Sequence, residues 1–199
     1  MQEVLNGEDA DAVKELLNIG IGRSAAMLNT ITKSHIALSI PEVRVYNAKT
    51  LKKGAVKVFD ENSATVRLEF KGDFSGITVI SFPKDSAAKL VMAITGEEAG
   101  TPELDSIRIE ALKEIGNIII NGVMGSIGNV LKTRLDYSIP AYEEGSLIDL
   151  IRSGEGTFDE HILMATASFN IKDLNVEGNI FMVLELGSMQ VLLRDLRSC

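Results

Sequence analysis

Residues 14–18 read KELLN and residues 113–117 read KEIGN. Each sets Glu three residues before Asn in an otherwise apolar run, and the copies lie 99 residues apart. The match continues outward, because Pro41 follows Asn18 by 23 residues and Pro140 follows Asn117 by the same 23. Later, FSGITVISFPKDSAAKLVM (74–92) and VEGNIFMVLELGSMQVLLRDL (176–196) share one order: a Gly, an apolar run, a Pro or Gly break, then a helical period. Gly76 and Gly178 are 102 apart, so the second copy has gained residues on the way. A repeat at this scale governs how everything between its copies is read. The chain of 199 residues therefore reads as one domain made of two homologous halves, about 1–99 and 100–199.

Within the first half, residues 9–18 have a helical apolar period that SAAMLNTITK (24–33) continues or restarts after the interruption at Gly20 and Gly22. VRVYNA (43–48) alternates as a strand, AVKVFD and ATVRLEFKG (55–60 and 64–72) bracket ENS as a hairpin, and GITVISF (76–82) is a continuous apolar strand. DSAAKLVMAIT (85–95) follows as a helix with an Asp or Ser cap. In the second half, 104–132 read as helix with bends at Gly122, Gly125 and Gly128. Strands follow near 138–142, 161–171 and 179–186, with a short extra helix at 146–153 and a closing one at 188–196. Hairpin-scale connections between strands predict a largely antiparallel sheet with helices packed on it, an α+β fold with a pseudo-twofold axis.

Composition narrows the function. A net charge of −8, with no cluster of Lys and Arg beyond pairs, argues against a nucleic-acid partner. The one cysteine, Cys199, excludes an internal disulfide framework, and with His35 and His161 it forms no metal-ligand spacing. The acidic start, MQEVLNGEDADAV, is not a secretory signal, and the apolar run 118–131 is too short and too polar to span a bilayer. These features predict a cytoplasmic protein. The seven Met residues read as core filler, and no phosphate-binding glycine loop is present.

On a helical wheel with Asp11 at zero, Glu15 falls near about +40° and Asn18 near about −20°, one narrow polar stripe. Val13, Leu16, Leu17 and Gly20 take the opposite face. The second copy repeats this, with Glu110, Glu114 and Asn117 on the stripe and Leu112, Ile115, Gly116 and Ile119 against it. Gly20 and Gly116 predict close approach of a neighbouring backbone. Exposed side chains drift apart in a repeat unless they contact something, and Asn is a poor helix former, so the two stripes call for a function. Asn cannot move a proton near neutrality, but it donates and accepts hydrogen bonds at once and can hold a water in a fixed direction. A carboxylate one turn earlier can pair with a cation on a partner. Such a pair suffices where the substrate brings its own metal ion and reactive phosphoryl group, since phosphoryl transfer needs mostly positioning and charge stabilisation.

The pattern Asp or Ser, three residues, Glu, two residues, Asn, 22 residues, Pro resembles the signature of the CheC/CheX/FliY phosphatases of bacterial and archaeal chemotaxis. Asp11, Glu15, Asn18 and Pro41 satisfy it in full, and Glu110, Glu114, Asn117 and Pro140 satisfy it except for Glu at the first position. The likeness covers the whole chain and is nearest to CheC; FliY-type proteins append a flagellar switch domain, for which the sequence leaves no room after Leu196. The resemblance implies hydrolysis of the aspartyl phosphate of the response regulator CheY. Asn18 and Asn117 would orient the attacking water, Glu15 and Glu114 would bind the receiver's lysine, and Asp11 and Glu110 would support docking. It implies no cofactor of the chain's own, the Mg2+ being carried by the phosphorylated receiver. CheD is implied as a second partner and a monomer as the assembly. The alternative is a module on the same fold, related to flagellar switch proteins, that binds phospho-CheY or CheD without hydrolysis.

Overall fold

The computed structural model describes residues 7–38, 41–47, 63–96, 106–144 and 161–197. The expected strand at 55–60, the first two residues of its ENS turn, the short helix at 146–153 and Cys199 lie outside the described residues, while Ser63 of that turn is in a strand. The elements run α1 (Gly7–Thr32), β1 (Ile36–Leu38), β2 (Glu42–Asn47), β3 (Ser63–Gly72), β4 (Gly76–Pro83), α2 (Lys84–Thr95), α3 (Ser106–Leu131), β5 (Leu135–Tyr137), β6 (Ala141–Glu144) and β7 (His161–Ile171). A 3-10 turn (Lys172–Leu174), β8 (Val176–Glu185) and α4 (Leu186–Leu196) complete the described chain.

The fold is α+β, with eight strands in one antiparallel sheet ordered β1-β7-β8-β4-β3-β5, while β2 also pairs with β7 and β6 with β3. The pairings are related by the same offsets that relate the sequence motifs. Ile36 opposite Ile171 corresponds, 99 residues on, to Leu135 opposite Gly72, and Val43 opposite Ala165 corresponds to Tyr142 opposite Val66. At the centre, β4 and β8 cross antiparallel with Val79 facing Phe181, and their offset is the 102 of Gly76 and Gly178. The extra residues of the second copy lie between β7 and β8, where the 3-10 turn stands, and the glycines of both copies have a packing cause. Gly76 pairs with Phe70 and Gly178 with Phe169, and a Cβ at either glycine would run into the facing aromatic ring.

Each half lends its outer strands to the other. β1 and β2 flank β7, and β5 and β6 flank β3. The expected single strand at 138–142 is therefore two short pieces, broken where Pro140 cannot donate to the ladder. Pro41 stands at the same break between β1 and β2. Such interruptions also blunt a sheet edge against unwanted pairing.

α1 and α3 are single helices of 26 residues each, so the expected break at Gly20 and Gly22 does not occur. Packing overrides the propensity cost. At Gly20 an added Cβ would stand 2.9 Å from the Val123 carbonyl oxygen of α3, so the two helix backbones meet there. The Ser24 hydroxyl, bonding at 3.2 Å to its own helix at Gly20 O, also donates across to Ile119 O at 2.7 Å. Gly116 differs from expectation in what approaches it: its neighbour is the Val66 side chain of β3, 2.7 Å from an added Cβ, and not a backbone. Both helices end in a left-handed lysine, Lys33 and Lys132, each with φ of 54°. After Lys132 the Thr133 N–H returns to Gly128 O at 3.0 Å, closing the terminal carbonyls as a Schellman turn does. α2 has no Asp or Ser cap; Pro83 precedes it, and Gly96 closes it with φ of 73°. The core lies between the helices and the sheet, from Val13, Leu16 and Ile119 to Leu68, Phe82 and Phe169, with Phe82 and Phe169 edge-to-face at 5.5 Å.

Candidate functional site

The buried faces of α1 and α3 are those the wheel predicts. Val13, Leu16, Leu17 and Gly20 are buried on α1, and Leu112, Ile115, Gly116 and Ile119 on α3. The opposite stripes reach solvent: Asp11, Glu15 and Asn18 are exposed, as are Glu110 and Glu114, while Asn117 is half-buried. Each stripe is thus displayed on a helix held from behind by the core and by its neighbour helix. Pro41 is buried and lines a small apolar pocket with Leu17, Ile21 and Val123, behind the first stripe. Pro140 is half-buried beside β6.

The charges within the two stripes are arranged alike. Lys14 donates to Asp11 at 3.1 Å, and Lys113 donates to Glu110 at 2.9 Å, both one turn apart on the helix. Each repeated lysine therefore neutralises the first acid of its motif. Glu15 and Glu114 have no ion-pair or hydrogen-bond partner among the described residues. A solvent-facing carboxylate left without an internal cation is the one able to take a cation from another molecule. The substitution of Glu110 for Asp at the first motif position changes little locally, since it keeps the lysine contact.

The amides differ between the stripes. Asn121, one turn beyond Asn117, donates through Nδ2 to Asn117 Oδ1 at 2.8 Å. Asn18 has no such partner among the described residues, because Gly22 occupies the equivalent position. The wheel could have shown this, since Asn121 falls on the polar stripe, but attention to the repeated residues passes over one that does not repeat. Arg23 is exposed on α1, and its counterpart by offset, Gly122, is buried against Ser24. Among the described residues, no helix is long and apolar enough to cross a membrane.

Chemically, each stripe offers one unpaired carboxylate and one neutral amide on the next turn. Neither stripe holds a hydroxyl or thiol nucleophile or a histidine base, so hydrolysis here would lean on an electrophile already activated by its owner.

A family model described as chemotaxis phosphatase CheX matches residues 64–156. The flagellar motor switch phosphatase FliY of Bacillus subtilis is 25% identical over 84% of the chain and 43% of that relative, so the chain spans less than half of that protein's length. The CheY-P phosphatase CheC of the same organism is 26% identical over 69% of the chain and 68% of that relative. The crystal structure of Thermotoga maritima FliY superposes with a TM-score of 0.77 at 22% identity, covering 98% of each chain, and so shares the fold. Against the expected nearness to CheC, the FliY relative aligns with more of the chain than the Bacillus subtilis CheC does, at about the same identity. Motifs, fold and matches point one way: the chain is similar to the CheC/CheX/FliY proteins in sequence and in fold.

Proposed function

We propose that this protein hydrolyses the aspartyl phosphate of a CheY-type receiver, with one site on each of α1 and α3. The observation that carries this reading is the pair of exposed Glu-x-x-Asn stripes at one offset, with the glutamate in each left unpaired. In each site the asparagine, Asn18 or Asn117, holds the attacking water in line with the phosphorus. The glutamate, Glu15 or Glu114, binds the receiver's lysine, and Asp11 and Glu110 help docking from the stripe's edge. The receiver supplies the electrophile and its Mg2+, so the chain needs no cofactor of its own. Positioning of this kind can account for several orders of magnitude in rate. CheD is proposed as a second partner, and the chain as a cytoplasmic monomer whose two halves arose by duplication.

The test is the decay of a phosphorylated CheY with the wild type, Asn18→Ala, Asn117→Ala and the double variant. The expected result is acceleration by the wild type, partial loss in each single variant, and full loss in the double variant with receiver binding retained. If the wild type binds the phosphorylated receiver but leaves its decay unchanged, with CheD present or absent, the chain is a docking module and the hydrolytic reading falls.

A further inference from the structure

The two stripes share their motif but not the residue that follows it. Asn121 stands one turn beyond Asn117 and donates to its Oδ1 at 2.8 Å, whereas the corresponding position beyond Asn18 is Gly22. The difference is not forced by packing. Asn121 is exposed, and a Cβ at Gly22 would meet nothing within 4 Å, so either position accepts either residue.

We propose that Asn121 is a positioning residue for Asn117, and that the two sites differ in kind: the one on α3 has its amide set before the receiver docks, while the one on α1 must order its amide during docking. This rests on the hydrolytic reading of the two stripes. An amide oxygen has two lone pairs. In Asn117 one is taken by Asn121, which fixes the plane of the amide against the helix. The second lone pair and both N–H groups remain for the water and the phosphoryl oxygens. Asn18 keeps all of these groups but no partner that selects one rotamer.

Ordering a side chain at an interface costs a measurable share of affinity or rate, and a group held beforehand avoids that cost at the chemical step. The consequence falls on kcat and leaves docking alone, since Asn121 adds no charge and the unpaired Glu114 is untouched. Its size is about three- to tenfold, the cost of freezing one short polar side chain. Alanine is the substitution of choice at position 121, because it keeps the helix and removes only the amide.

The experiment isolates one site at a time. In an Asn18→Ala background, where only the α3 site works, Asn121→Ala is expected to lower kcat for phosphorylated CheY about three- to tenfold with KM unchanged. In an Asn117→Ala background, Gly22→Asn is expected to raise kcat of the α1 site by a similar factor. Side-chain amide relaxation by NMR, measured on the free protein, provides a readout independent of turnover. The Asn117 amide should be more ordered than that of Asn18 and should lose that order in Asn121→Ala. If Asn117 is as mobile as Asn18, or if kcat is unchanged by Asn121→Ala while Asn117→Ala still abolishes the α3 activity, the proposal is overturned and the hydrolytic reading stands. If the wild type does not accelerate decay at all, the hydrolytic reading fails and takes the catalytic role of Asn121 with it.

Discussion

Two glycines on one turn of α1 have opposite expected responses to alanine. At Gly20 an added Cβ would lie 2.9 Å from the Val123 carbonyl oxygen, 3.1 Å from its Cα and 3.2 Å from its Cγ1. Two of those atoms are backbone of α3 and cannot rotate aside. The Ser24 to Ile119 bond of 2.7 Å, next along the crossing, resists separation of the helices. At Gly22, two residues on, an added Cβ meets nothing within 4 Å.

Gly→Ala inside a helix gains about 0.5–1 kcal/mol from backbone entropy and propensity. Both variants receive that gain, so it cancels in their difference. What remains is the overpacking cost at Gly20, about 1–3 kcal/mol. Gly22→Ala is therefore expected to be more stable than the wild type and Gly20→Ala less stable than Gly22→Ala by that margin. For a domain of this size the gap corresponds to about 2–4 °C in Tm per kcal/mol. Equilibrium urea unfolding at pH 7, with m-values compared to confirm a common two-state transition, measures both. Equal stabilities for the two variants would refute the claim that α1 and α3 meet backbone to backbone at Gly20.

Other consequences can be checked with the same assays. Lys84 at the start of α2 reaches Glu144 on β6 at 2.7 Å, and this bond, followed by one from the Tyr142 hydroxyl, lowers the Glu144 carboxyl below its ordinary 4.5. The resulting stability is complete above about 4.5 and is lost as pH falls through the lower folded value, so Glu144→Gln should flatten that limb of the pH–Tm curve; an unchanged limb would refute the linkage. Arg197 holds Asp9, in the first turn of α1, through both carboxylate oxygens at 2.7 and 2.6 Å. Arg197→Ala should lower Tm, and Asp9→Asn should cost less in that background than alone; additive losses would show that the two do not couple. A fragment of residues 1–99 would leave β1 and β2 without β7, and β3 without β5 and β6. It is expected to self-associate or remain unfolded, and a well-dispersed NMR spectrum from a monomer would contradict the interleaved sheet.

The faces of α1 and α3 were legible because a period of 3.6 residues leaves little freedom in a long amphipathic stretch. β7 was legible to the residue, since the eight apolar and small side chains from Ile162 to Phe169 suit a largely buried strand; its observed span is His161–Ile171. What could not be read was which strand pairs with which. Alternation along VRVYNA says that one face is buried, but it does not say that Val43 will face Ala165 of the other half. Strand partners are chosen by tertiary closure, and a local pattern carries no record of it. The start of α2 shows the same limit: Asp85 and Ser86 have the chemistry of caps, yet the strand runs on to Pro83, and the Ser86 hydroxyl instead accepts the Glu177 N–H at 3.2 Å. The continuous α1 shows it again, because the reason for Gly20 lies on α3.

The twofold relation itself separates packing from function. Phe70 over Gly76 and Phe169 over Gly178 match because an aromatic ring needs a missing side chain opposite it, in either half. Gly22 and Asn121 differ because solvent imposes no such demand. By that standard Glu15 with Glu114, and Asn18 with Asn117, should have been as free to differ as Gly22 and Asn121 were. The core does not hold the first three, which are exposed, and no described side chain pairs with either glutamate. Their agreement supports the proposal that both stripes meet one kind of receiver, which would present the same demand to a carboxylate and an amide at the same helical spacing. On the proposal made for the two stripes, a single unmatched neighbour, Asn121, would give two sites of one design different working properties.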